Sequence, residues 1–168
     1  MPGYRTHVTG AIVSAAATLV ITHWRMPIAA LLTSNNIACL AAGACGGLFP
    51  DIDIKSKGQK LWYSAIVPLW GAALVMRHTV FICVLSVLAV IPPLLPHRGI
   101  THELWFILLA PLGGPFLVSV YQPAYLSFAI DLYFFFVIGA ISHLVLDLGP
   151  LGTLRRSLPR GAARKKRR

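Results

Sequence analysis

Six apolar runs, parted by short polar breaks that carry proline or charge, leave this chain few ways to fold. They cover residues 8–24, 28–49, 61–76, 80–95, 104–120 and 124–148. Each is close to the roughly 20 residues that a helix needs to cross a bilayer. Composition agrees: 57% of residues are hydrophobic and 12% charged, where a soluble domain carries about 25% charged residues. The expected fold is therefore all-α, a polytopic bundle of about six membrane spans. One domain over residues 1–150 and a basic tail over 151–168 account for the chain. Ala15-Ala16-Ala17 could imitate a leader cleavage site, but the apolar run continues through Leu19-Val20-Ile21, which reads as a span.

The breaks have their own logic. Trp24, Arg25 and Pro27 close the first run. Ser34 is a plausible N-cap for the second, whose centre from Ala38 to Gly47 is rich in Ala, Gly and Cys. Small residues allow neighbouring helices to approach closely, which suits an interior helix. Pro50 ends it. Arg77-His78 joins the third and fourth runs, and Pro92, Pro93 and Pro96 are expected to unwind the exit of the fourth. Pro111, Gly113, Gly114 and Pro115 should kink or break the fifth. Gly149-Pro150 should end the sixth. The cysteines Cys39, Cys45 and Cys83 lie in apolar runs without C-x-x-C spacing, which reads as small buried apolar residues.

Charge sets the orientation. With six spans, the N-terminus, the 51–60 loop, the 97–103 loop and the tail share one side. That side collects Arg5, Lys55, Lys57, Lys60, Arg98 and eight Lys or Arg of the tail, thirteen of the fifteen basic residues; Arg25 and Arg77 fall on the other. A bias of thirteen to two makes the shared side cytoplasmic, with both termini there. The tail is then suited to anionic lipid. Nucleic acid is not an expected partner, because no aromatic or fold signal accompanies the tail.

Lys and Arg alone fix that topology, yet it also gathers the polar side chains. His7, Asp51, Asp53, His97, His102, His143 and Asp147 all fall at the cytoplasmic end. His143 and Asp147, four apart on a helix, project from one face. Asp51 and Asp53 would point the same way on extended backbone, and adjacent carboxylates repel unless a cation or proton separates them. His97 and His102 flank a glycine-bearing turn. Each pattern alone has an ordinary reading as a cap, a solvated turn or an interfacial loop. Together, in a chain with five acids and six histidines, they point to a divalent metal site. Mixed imidazole and carboxylate donors suit Zn²⁺ first, then Mn²⁺ or Fe²⁺. His23 and His78 fall on the outer side. Asp131, early in the sixth run, would cap that helix or pair inside the bundle.

Thr6-His7, Gly47-Leu48-Phe49-Pro50-Asp51-Ile52-Asp53, His97-Arg98-Gly99-Ile100-Thr101-His102 and Ser142-His143-Leu144-Val145-Leu146-Asp147 together resemble a family of membrane-bound metal-dependent hydrolases of bacteria and archaea, which includes a LexA-regulated inner-membrane protein. The chain departs from its pattern at Glu103, where the family commonly carries Ser. The resemblance implies a distant similarity to zinc-dependent phospholipases C and single-strand nucleases.

The function expected from the sequence is hydrolysis of a phosphoester or lipid-related substrate at the cytoplasmic membrane interface. Arg98 would steady a phosphate or developing oxyanion, and Glu103 would act as base or orient a ligand. The rival is a non-enzymatic protein, either a metal or proton transporter or a partner-binding scaffold. A transport path should carry polar groups through the midplane, and these gather at one end. A phosphohistidine lipid phosphatase would need Lys-x₆-Arg-Pro and Ser-Gly-His signatures, which the sequence lacks.

Overall fold

The computed structural model describes residues 3–25, 27, 31–52, 57–77, 79–94 and 100–155. Among these the chain is helical throughout, with no strand. The helices are α1 (Tyr4–Thr22), α2 (Ser34–Leu48), α3 (Lys57–Val75), α4 (Thr79–Leu94), α5 (Leu104–Leu109), α6 (Gly113–Tyr121) and α7 (Leu126–Arg155). Two stretches among the described residues are long and apolar enough to cross a membrane, Leu104–Tyr121 and Pro123–Leu154.

Helices α1, α2 and α7 pack against one another as a central trio. Glycine makes their approach possible. A Cβ on Gly139 of α7 would fall on the carbonyl oxygen of Gly43 in α2, and one on Gly46 would fall on the carbonyl oxygen of Phe136. A Cβ on Gly43 would stand 2.7 Å from that of Ala15 in α1. In lipid, where burying apolar surface gains little, such backbone-to-backbone packing is a main source of helix association. Ala15, Leu19, Leu31, Cys39 and Phe135 fill the core between these helices.

The remaining helices hang on this trio. α3 and α4 form a hairpin around Ile66, Ala73 and Leu85, fastened by the Tyr63 hydroxyl, which donates to the Ala89 carbonyl at 2.6 Å. Arg77, at φ 56°, makes the left-handed turn between them. The fifth run is broken as expected. Pro111 sits in a 3-10 turn, Ala110–Leu112, between α5 and α6. The Tyr133 hydroxyl of α7 donates to the Leu108 carbonyl at 2.9 Å beside that break.

Several local expectations are corrected. The cap of α2 is Thr33, whose side chain accepts from the Asn36 amide, and Ser34 is the first helical residue. α4 stays helical through Pro92 and Pro93 to Leu94, because proline's fixed φ near −65° is itself helical. Pro96 lies outside the described residues. The sixth run does end at Gly149-Pro150 as expected: Gly149, at φ 71° and ψ 164°, is non-helical and kinks α7, and a second helical stretch follows to Arg155. Cys39 is buried, Cys45 half-buried and Cys83 exposed, so only the first fits the buried reading fully. Asp131 is exposed on α7, without a core position.

Candidate metal centre

Four separate parts of the chain deliver polar side chains to one place. His7 comes from the first turns of α1, Asp51 from the turn after α2, His102 from the turn before α5, and His143 and Asp147 from α7. Their meeting puts these four chain positions at one end of the bundle.

Asp51 closes a 3-10 turn, Phe49–Asp51, with Pro50 in its first helical positions. Ile52 is also in helical conformation, φ −75° and ψ −13°, so the extended Asp51-Ile52-Asp53 geometry expected from the sequence is corrected at its first two residues. Pro50 pre-sets the φ that such a turn needs, and Ile52 is fully buried beneath it. Asp53, His97 and Arg98 lie outside the described residues. Glu103 follows His102 directly and is half-buried at the entry to α5.

The geometry centres on His143, which is fully buried. Its Nδ1 lies 2.7 Å from the Gly47 carbonyl. A carbonyl only accepts, so Nδ1 carries the proton and donates it. Nε2 then points at Asp51 Oδ1 and Asp147 Oδ2, 3.6 Å from each. The ring of His7 stacks on that of His143, with centroids 3.8 Å apart, and His7 Nε2 stands 3.4 Å from Asp147 Oδ1. His102 Nε2 is 3.6 Å from Asp51 Oδ1, and the buried Thr101 hydroxyl lies 3.2 Å from its Nδ1. Gly47 lets α1 come this close, since a Cβ there would fall on that of Ala11.

Two triads can be drawn in which every donor atom lies within 4.8 Å of the others: His7, His143 and Asp147, and Asp51, His102 and His143. His143 belongs to both. His7 Nδ1, His143 Nε2 and Asp147 Oδ1 are buried without a hydrogen-bond partner among the described residues. Burial would raise the pKa of Asp51, but the nearby His102, His143 and His7 imidazoles outweigh that and lower it. That direction favours the ionised carboxylate, the form a metal ligand takes.

This donor set fits a divalent cation. A charge-assisted hydrogen bond from imidazole to carboxylate would be about 2.7–2.9 Å long, shorter than the four imidazole–carboxylate distances of this cluster. Donors placed 2.0–2.2 Å from a shared tetrahedral ion stand roughly 3.3–3.6 Å apart. The proton on Nδ1 of His143 leaves an Nε2 lone pair facing two carboxylate oxygens, an arrangement that a cation between them relieves. Gly47 and Thr101 orient the two rings from behind, the usual arrangement for metal-ligating histidines. Sequence reasoning missed the Gly47 role, since a backbone carbonyl leaves no side-chain signal. Thr101 lies within His97-Arg98-Gly99-Ile100-Thr101-His102, but its hydroxyl contact with the His102 ring has no sequence signal.

The fold and the site define a helical membrane protein with a buried imidazole–carboxylate cluster at one end. The chain belongs to the YdjM inner membrane protein family, whose family model matches residues 1–158. No curated protein and no solved structure matches it.

Proposed function

We propose that this chain is an integral-membrane, metal-dependent hydrolase that cleaves a phosphoester or lipid-related substrate at the cytoplasmic face of the inner membrane. The observation that carries the proposal is the buried Nε2 of His143, aimed between Asp51 and Asp147 with its other nitrogen tied to Gly47. His7, Asp51, His102, His143 and Asp147 would hold the ion, with Asp53 and His97 as further ligands. Zn²⁺ suits this set best, with Mn²⁺ or Fe²⁺ next. When bound, such an ion lowers the pKa of a water and polarises the scissile bond.

The chain's own groups do the rest. Arg98, adjacent in sequence to His97, would serve to bind phosphate oxygens and steady negative charge as it develops. Glu103, next to His102, takes up or returns a proton. His7, stacked on His143, shields one side of that ring from water.

The same proposal includes six crossings with both termini in the cytoplasm: α1, α2, α3, α4, the α5–α6 pair and α7. An even number of crossings between successive donors is what brings His7, Asp51, His102 and Asp147 to one end, and the thirteen-to-two charge bias names that end. Donors gathered from several helices are also the basis for a distant likeness to zinc-dependent phospholipases C.

The test is turnover of phosphomonoesters and phosphodiesters by purified protein, with and without chelator. Cleavage should need metal. Arg98→Ala should lower turnover while metal content stays near wild type, whereas His143→Ala should lose both. Zn²⁺ or proton movement into vesicles, with no ester cleaved, would replace the hydrolase reading with a transporter.

A further inference from the structure

A groove of about 430 Å³ runs along the seam between α1 and α7. Gly10, Val13 and Ser14 line one wall, and Ile138, Ile141 and Val145 the other. Its outer rim is exposed: Val13 keeps 61% of its surface accessible.

The groove begins where the site ends. Gly10 follows His7 by three residues on α1, so the two are neighbours one turn apart on one flank. On α7, Ser142 and Leu146 of the groove wall directly precede His143 and Asp147. From Asp147 back to Ile138 is nine residues, or about 13 Å of helix. A chain lying there would have its head at the His7–Asp147 pair.

Charge says what kind of head. Tyr4 lies one turn before His7 on α1, and two cations converge on it. Arg5 Nε donates to the Tyr4 hydroxyl at 3.3 Å, and Lys57 Nζ, from the start of α3, sits 5.5 Å from the centre of its ring. These gather positive charge on Tyr4, one helical turn from His7. Among the described residues lining the groove the polar side chains are Ser14 and Ser142, and Ser142 already donates to the Gly139 carbonyl. The wall is thus mainly apolar, and the two cations on Tyr4 lie one turn beyond His7 along α1.

We infer that the substrate is a phosphate-bearing anionic lipid of the bilayer, whose acyl chain enters sideways between α1 and α7 and whose phosphate rests between the Arg5–Lys57 pair and the His/Asp cluster. This rests on the phosphoester reading above and narrows it. The substrate need not leave the membrane to reach the site. Ser14 and Ile138 set the width of the path.

The experiment uses the full chain in phosphatidylcholine nanodiscs that contain a phosphatidic acid with a photoreactive diazirine in its acyl chain. Crosslinked peptides are mapped, and metal content and cleavage of bis(p-nitrophenyl) phosphate are measured on the same preparations. Labelling should concentrate on residues 10–14 and 138–145, several-fold above the exposed Val67–Leu69 face of α3. It should fall with Ser14→Leu and, independently, with Ile138→Phe, and in the Arg5→Ala/Lys57→Ala double variant. A diacylglycerol carrying the same chain should label the groove several-fold less. Labelling spread evenly over all lipid-facing side chains, or equal for the two lipids, overturns the inference even if the soluble ester is cleaved. Groove labelling that behaves as expected in a protein that binds no metal and cleaves no ester upholds the lipid site and sinks the hydrolase reading.

Discussion

Gly139→Ala should loosen the bundle and the site together. The new Cβ would fall on the carbonyl oxygen of Gly43. That oxygen belongs to the backbone of α2 and cannot rotate away, so α2 and α7 must part. Replacing a helical glycine with alanine ordinarily gains about 0.5–1 kcal/mol, and overpacking a tight contact costs about 1–3 kcal/mol. With backbone on the far side, the cost sits towards the upper end, for a net loss of roughly 2 kcal/mol. His143 follows Gly139 by one turn, and its hydrogen bond to Gly47 spans the seam being opened. Losing such an orienting bond typically costs 10–100-fold in metal affinity, and about that loss is expected here. The assay is unfolding by SDS titration in mixed micelles, paired with a metal-binding isotherm. Gly71→Ala is the control, because a Cβ there meets nothing within 4 Å; it should be neutral or slightly stabilising. If Gly139→Ala is as stable as Gly71→Ala and binds metal as wild type does, the close packing of α2 on α7 is not what holds the site.

Other outcomes follow from single contacts. Tyr133→Phe removes the hydroxyl that donates to the Leu108 carbonyl and should cost about 0.5–1.5 kcal/mol in the same unfolding assay; no change would mean that this bond does not brace the break at Pro111. In a background without the native cysteines, Arg25→Cys, His78→Cys and Gln122→Cys should react with an impermeant maleimide from outside, whereas Lys57→Cys and Arg160→Cys should not; the reverse pattern refutes the six-span topology. Asp51 has its folded pKa lowered, so its contribution to the metal-free protein is fully present above its unfolded value of about 3.9 and is lost as pH falls through the folded value. Asp51→Asn should therefore flatten the acid end of the stability profile below about pH 4, and an unchanged acid limb would contradict the Asp51–histidine contacts.

Much of the helical frame was legible because long apolar runs parted by proline and charge mark out helices, two of which are long and apolar enough to cross a membrane. The small residues of α2 announced an interior helix, and Gly43, Gly46 and Gly47 are where α1 and α7 come nearest. Pro111 announced the break between α5 and α6. The His143–Asp147 pair was legible because four residues make one helical turn. What escaped the sequence depends on backbone detail. Thr33 and Ser34 are both competent caps, and only the structure separates them. Asp51 reads equally well as extended or turned, until Pro50 and the buried Ile52 are seen to hold it in a 3-10 turn. The stack of His7 on His143 joins residues 136 positions apart, and no local period encodes it.

The central claim is that His7, Asp51, His102, His143 and Asp147 form one metal centre. Metal analysis of purified protein after incubation with Zn²⁺, Mn²⁺ or Fe²⁺ and removal of the excess tests it most directly. Wild-type protein should retain the metal in stoichiometric amount, and Asp51→Ala and His143→Ala should each lose most of it while remaining folded. Equal metal content in all three proteins, or none in the wild type, would contradict the account.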